Sequence, residues 1–163
     1  MSEESFIYGN VMARRQEQLQ RFVNEVLSDG KSRGKAHFLS NIPFNVYQDI
    51  RRRGMHLQSD HIFLPDKSVI KYISHPKGKK GATLPFKEFW KIVNTATNPK
   101  NVYVDTKQKN LVYAFTSRYN KGRVIKIIMQ PNYKYGKRKV NIITSIGVVD
   151  KRKMGNPQYL KIK

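Results

Sequence analysis

Four histidines, at positions 37, 56, 61 and 75, are the side chains of this chain best suited to moving a proton near neutral pH. His75 has the most useful surroundings. It follows a helical run, precedes the glycine- and lysine-rich segment Lys77 to Thr83, and has Lys71 one helical turn before it on the same side. His61, which opens an apolar run, is the second choice. Arg118 and Lys126 bring cations into the strand-like part of the chain, and Thr144 and Ser145 place two hydroxyls inside the otherwise apolar run 141–146. Together these groups suit a reaction that needs no metal: attack of a ribose 2′-OH on its own phosphate, leaving a 2′,3′-cyclic end. A histidine takes or gives the proton, and cations offset the charge that develops on the phosphate oxygens. Each group also has a structural role open to it. His61 suits packing at a sheet edge, and an inward hydroxyl at 144 or 145 suits bonding to backbone.

Other chemistries lack their residues. There is no HExxH, DxD or clustered-histidine pattern for a metal, no GxSxG elbow, and no paired carboxylates of the glycosidase kind. Gly30 to Lys35 lacks the GxxxxGK[ST] spacing of a triphosphate loop and is expected to be a mobile loop. Cysteine is absent, which removes disulfides and thiolate metal sites. No cofactor is called for.

Charge points to the partner. The 163 residues hold 32 Lys and Arg against 11 Asp and Glu, a net charge of +21 with pI near 10.3. Solubility alone asks for a magnitude of only about 2 to 8, so a polyanion is expected, with nucleic acid ahead of an acidic protein. Lys126, Lys79, Lys80, Arg52 and Arg53 are candidate phosphate contacts, and Tyr119 is a candidate surface for stacking an unpaired base, as are Tyr133 and Tyr135. The basic residues are spread along the chain and do not line one amphipathic helix, and no apolar run approaches the roughly 18 residues of a membrane span. The opening MSEESFIYGN is acidic and polar, unlike a secretory signal. A cytoplasmic setting is therefore expected.

The elements that must position these groups can be read from periodicity. Leu19, Phe22, Val23, Val26 and Leu27 make one apolar stripe on a helix over 9–28, stopped by Asp29-Gly30. A second helix is expected over 43–54, capped by Asn41, with Phe44, Tyr47 and Ile50 inward and Arg51 to Arg53 closing it. Ile62 to Leu64 form a strand ended by Pro65. Asp66 then caps a helix with Val69, Ile70 and Ile73 inward, which Pro76 ends. Pro85 opens a further helix whose Trp90 is core by default. From Val102 the period becomes two: strands at 102–104, 111–115, 124–129 and 140–149 are separated by turns at 107–110 and 120–122 and by a longer connection, 130–138. The expectation is an α+β fold, with N-terminal helices packed on a four-stranded antiparallel meander. Residues 1–36 form a helical appendage and basic linker, and 37–163 a domain with its core at 61–150.

The order of these pieces resembles the barnase–EndoU–colicin–RelE superfamily of metal-independent RNases, in particular the branch associated with phages and polymorphic toxins. The resemblance runs from His61-Ile62-Phe63-Leu64, through the helix bearing Lys71 and ending in His75-Pro76, to the strands 102–105, 111–115, 124–128 and 141–149. It implies an endoribonuclease with His75 as acid–base, Lys71 and Arg118 or Lys126 holding phosphate, and Thr144 or Ser145 as a phosphate ligand. It further implies an RNA substrate such as tRNA or rRNA, action in a bacterial cytoplasm, and an acidic immunity or antitoxin protein as partner. Lys71 stands where many relatives carry a second histidine. The alternative from another class is a non-catalytic RNA- or DNA-binding protein, such as a phage host-takeover or packaging factor.

Overall fold

The computed structural model describes residues 3–73, 91–118 and 121–163. In chain order the elements are α1 (Glu3–Asp29), β1 (Ala36–Asn41), α2 (Phe44–Arg52), β2 (His61–Pro65), α3 (Asp66–Ile73) and α4 (Lys91–Thr97). Strands β3 (Asn101–Asp105), β4 (Asn110–Thr116), β5 (Arg123–Tyr135) and β6 (Arg138–Asp150) follow, then a 3₁₀ turn (Lys151–Gly155) and β7 (Tyr159–Lys161). The fold is α+β. All seven strands form one sheet in the order β1-β2-β6-β5-β4-β3-β7. β2 and β6 are parallel, and every other neighbouring pair is antiparallel.

The sheet is larger than the four antiparallel strands expected, and it is mixed. β3 to β6 do pair in sequence, but they form the middle of a sheet that β1 and β2 extend on one side and β7 on the other. The parallel pair arises because β2 and β6 are joined by a long excursion through α3, α4 and three strands, whereas hairpins can only produce antiparallel neighbours.

The four helices among the described residues bury their apolar sides on one face. Leu19, Val23 and Val26 of α1, Val46 and Ile50 of α2, Val69 of α3, and Ile92 and Ala96 of α4 share a core with Ile62, Leu64, Ile125, Ile127, Ile143 and Ile146. α1 is thus built into the main core. Its stop is as expected: Gly30 takes φ +75 and donates to the Val26 carbonyl, 2.9 Å away. α2 differs from expectation. Phe44 is 71% exposed, while Val46 and Ile50, four residues apart, face inward. Pro43 stands at its N-cap without a side-chain cap, because Asn41 is the last residue of β1.

α4 touches both β1 and β4, which have three strands between them. At about 4.8 Å per strand, a seven-residue helix meets both only because the sheet curls around it. Bulges supply the bend. The β5–β6 register slips between Ile128 and Met129 and again between Gln130 and Tyr133, and β1–β2 slips at Leu39. The helices therefore fill the inside of the curl, and among the described residues no helix packs on the other, open face.

The Gly30 to Lys35 segment is pinned, contrary to the mobile loop expected. The Asp66 carboxylate, 3% exposed, accepts from Ser32 Oγ at 2.7 Å and from the Arg33 and Lys35 N–H groups at 2.7 and 3.2 Å. Burial pushes this carboxyl up, but the hydrogen bonds outweigh burial and hold it below the usual range. No helix among the described residues is long and apolar enough to cross a membrane.

Candidate nucleic-acid interface

Residues directly opposite one another in a sheet share a face, and this assigns the open side. Val112, Ala114, Val124 and Met154 form a small second cluster there, flanked by Tyr103, Ile128, Val149 and Tyr159. Met154 reaches it from the 3₁₀ turn, which Asp150 caps by accepting from the Arg152 N–H at 2.9 Å. The Arg152 side chain, hydrogen-bonded to the same carboxylate, holds Asp150 at about 2.

Beside this cluster runs a cavity of about 610 Å³. Asn101 and Tyr103 of β3, Thr116 of β4, Tyr159 and Lys161 of β7, and Lys151 and Asn156 of the 3₁₀ region line it. A second cavity of about 330 Å³ lies between the end of α4 and the start of β3, lined by Lys91, Asn94, Thr95, Asn98, Lys100, Asn101, Phe115 and Thr116. Asn101 and Thr116 belong to both, so the two cavities adjoin at the open end of the β3–β4 hairpin, and the pair makes up the candidate groove.

No aspartate or glutamate is among the described residues that line either half. The sequence prepares this: after Glu88 its only carboxylates are Asp105 and Asp150. The described lining holds Lys91, Lys100, Lys151 and Lys161 with several amides and hydroxyls, groups able to donate to phosphate oxygens. Tyr103 and Tyr159 stand edge to face with ring centres 6.4 Å apart, and offer faces for bases. Lys126 Nζ donates to Tyr159 Oη at 3.2 Å and so helps set that ring.

Asp105, 6% exposed, anchors the strand that carries Tyr159. Its carboxylate accepts from the Lys107 and Gln108 N–H groups, both at 3.0 Å, and from Gln158 Nε2 at 3.2 Å. The hairpin turn and the segment leading into β7 are thereby held by one side chain.

The residues singled out from the sequence fall in several places. Arg118 is exposed, two residues beyond Thr116 at the end of the groove. Lys126 and Ser145 lie on the open face, since Ile128 pairs with Ser145 and Lys126 is two residues earlier on the same strand. Thr144 is the extra residue of a bulge between the partners of Ile128 and Met129, and its hydroxyl donates to the Ile128 carbonyl at 3.4 Å. That bulge accounts for a polar residue in an apolar strand. Lys71 is exposed on α3, on the helical side. The sheet therefore separates Lys71 from Lys126 and Ser145, and these residues do not converge on one phosphate. Arg52 and Arg53 are exposed at the end of α2, with Arg52 3.3 Å from Asp49. His75, Lys79, Lys80 and Tyr119, like Trp90, lie outside the described residues.

None of the other three histidines lines the groove. His37 stacks on Phe22 at 5.1 Å, and burial pushes its imidazole below the ordinary value. His56 gives its carbonyl to Asn132 Nδ2, 2.6 Å away. His61 Nε2 lies 3.6 Å from Asp60 Oδ1, with its ring edge to face against Phe38. The groove residues Asn101, Tyr103, Tyr159, Lys100 and Lys161 escaped the sequence reading. No local sequence signal marks them, because the pairing of β3 with both β4 and β7 brings them together. Comparison of the chain with protein-family models, curated protein sequences and solved structures found no match.

Proposed function

We propose that this protein binds RNA in the groove at the open end of the β3–β4 hairpin and cleaves it without a metal, through 2′-OH attack. The observation that carries the binding is the lining itself: among the described residues it has four lysines, amides, hydroxyls and two tyrosines and no carboxylate, in a chain of net charge +21. Such a surface accepts a phosphate backbone and repels no part of it. Cleavage rests on the resemblance to metal-independent RNases, with His75 as acid–base and Arg118, at the groove end, as a phosphate-holding cation. The acidic neutralising protein that the resemblance implies would meet the same surface and be drawn to it electrostatically.

A second reading, binding without cleavage, is favoured by the position of Lys71 across the sheet from Lys126 and Ser145. One experiment separates the two. Total RNA, tRNA and rRNA are incubated in EDTA with the native protein, with His75→Ala, and with Lys100→Ala/Lys161→Ala. Cleavage predicts cyclic-phosphate fragments that disappear in His75→Ala while the gel shift persists, and a weakened shift in the lysine pair. Intact RNA that still shifts establishes the binding module instead. RNA that neither shifts nor breaks sinks both.

A further inference from the structure

Resting on that reading, we infer that the far edge of the open face holds a second nucleic-acid contact, a stacking site for an unpaired base of the same strand. Four rings meet there across β1, β2 and β5. Phe38 lies edge to face against both His61 and Phe63, with ring centres 5.6 Å away in each case, and Phe63 tilts against Tyr135 at 5.6 Å. Phe63 is 7% exposed and forms the base of the set. Phe38 is 38% exposed and the His61 side chain 35%. Tyr135 is fixed by the Ala36 N–H, which donates to its hydroxyl at 3.2 Å, and Asp60 lies 3.6 Å from His61 Nε2.

Register assigns these rings to the open side. Phe38 pairs with Phe63, while the neighbouring His37 turns to Phe22 of α1 and Leu39 enters the main core. β1 is the edge strand of the sheet. An uncovered aromatic on an edge strand invites aggregation, and it fits a surface that a flat ligand covers. The chemistry beside it names the ligand. In the β5–β6 hairpin, exposed Arg138 is the register partner of Tyr135 and shares its face, exposed Lys137 stands in the turn before it, and Lys134 and Lys139 pair on the opposite face. No carboxylate occurs in that hairpin. Aromatic faces bordered by cations suit a single strand, whose bases stack while its phosphates meet lysine and arginine. A duplex buries its base faces and gains nothing from the rings.

The test uses 2′-O-methyl oligonucleotides, which cannot undergo 2′-OH attack, in single-stranded and duplex form. Phe38→Ala and Phe38→Leu should each weaken single-strand binding roughly tenfold and leave duplex binding unchanged. Phe44→Ala, which removes another exposed ring on α2, should change neither. An oligonucleotide with abasic positions should lose a similar factor against the native protein, independent of any effect of substitution on folding. If the native protein binds neither form, the RNA reading falls and this site with it. If it binds single strands and neither the Phe38 variants nor abasic positions matter, the stacking site alone is overturned. A deoxy strand of the same sequence shows whether the sugar contributes.

Discussion

Replacing Lys100 and Lys161 together by alanine should change the salt dependence of RNA binding, beyond a simple loss of affinity. Each lysine–phosphate contact to a single strand contributes about −0.7 to the slope of log K against log salt. Lys91, Lys100, Lys151 and Lys161 line the groove, and four contacts give a slope of about −2.8. Between about 50 and 200 mM salt, log salt rises by about 0.6, so these contacts alone weaken binding about 50-fold. Removing two should flatten the slope by about 1.4 and reduce that loss to about sevenfold. The assay is fluorescence anisotropy of a labelled 2′-O-methyl strand, titrated at four or five salt concentrations. The control is Arg14→Ala/Arg21→Ala, which removes the same charge from the exposed surface of α1. Should both double variants flatten the slope equally, binding follows net charge, and the groove has no special place in it.

Two further outcomes concern the scaffold. Asp66→Ala should cost about 3–4 kcal/mol, because two backbone N–H groups and one hydroxyl lose a charged, nearly buried acceptor. At about 2–4 °C per kcal/mol for a chain of this size, the melting midpoint should fall by about 10 °C; a cost under about 1 kcal/mol would mean that water replaces the carboxylate. His37 is held neutral by burial, so its folded value lies below the ordinary 6.5. The unfolded chain then binds more protons at acidic pH, so this contribution is present above 6.5 and is lost as pH falls below it. Urea midpoints at pH 7.5 and 5 should separate less in His37→Phe than in the native protein, and an equal separation would assign the acid sensitivity elsewhere.

The strands that the alternation rule reveals are those with one clean core face. β3 alternates cleanly, while β4 and the first half of β5 stand out as short apolar runs bounded by turn residues. β1 does not, because the bulge at Leu39 follows Phe38, so two neighbouring large residues go to opposite faces beside a register slip. The second half of β5 was hidden for a similar reason. Gln130-Pro131-Asn132 looks like a turn, and Asn132 does take φ +57, but the chain there forms a bulge and rejoins β6 at Tyr133. The side chain of Asn132 then accepts from the Gln58 N–H at 2.8 Å, tying the loop before β2 to the sheet. The groove was illegible because its residues are distant in sequence. β3 pairs with β4 on one side and with β7 on the other, and only that double pairing sets Tyr159 and Lys161 beside Tyr103. Hydroxyls and histidines attracted the eye as chemistry, although Thr144 serves a bulge and His37 a packed stack.

A metal-free cleavage site must bring a proton acceptor, a proton donor and cations within hydrogen-bond distance of one phosphate. A sheet is about 10 Å from any layer packed on it, so Lys71 on the helical side and Lys126 on the open side cannot both reach the same group. The two sides of the sheet come together only at its ends. The groove does this at the end of the β3–β4 hairpin, where Phe115 turns to one half and Ala114 to the other, while Asn101 and Thr116 serve both. Arg118 lies just past that point. A phosphate held there would be reached from the helical layer by Lys91 and Lys100 and from the open face by Lys161. The demand that cleavage makes on the fold is therefore local. A strand that crosses the hairpin end meets cations from both sides, whereas one confined to either face meets only half of them.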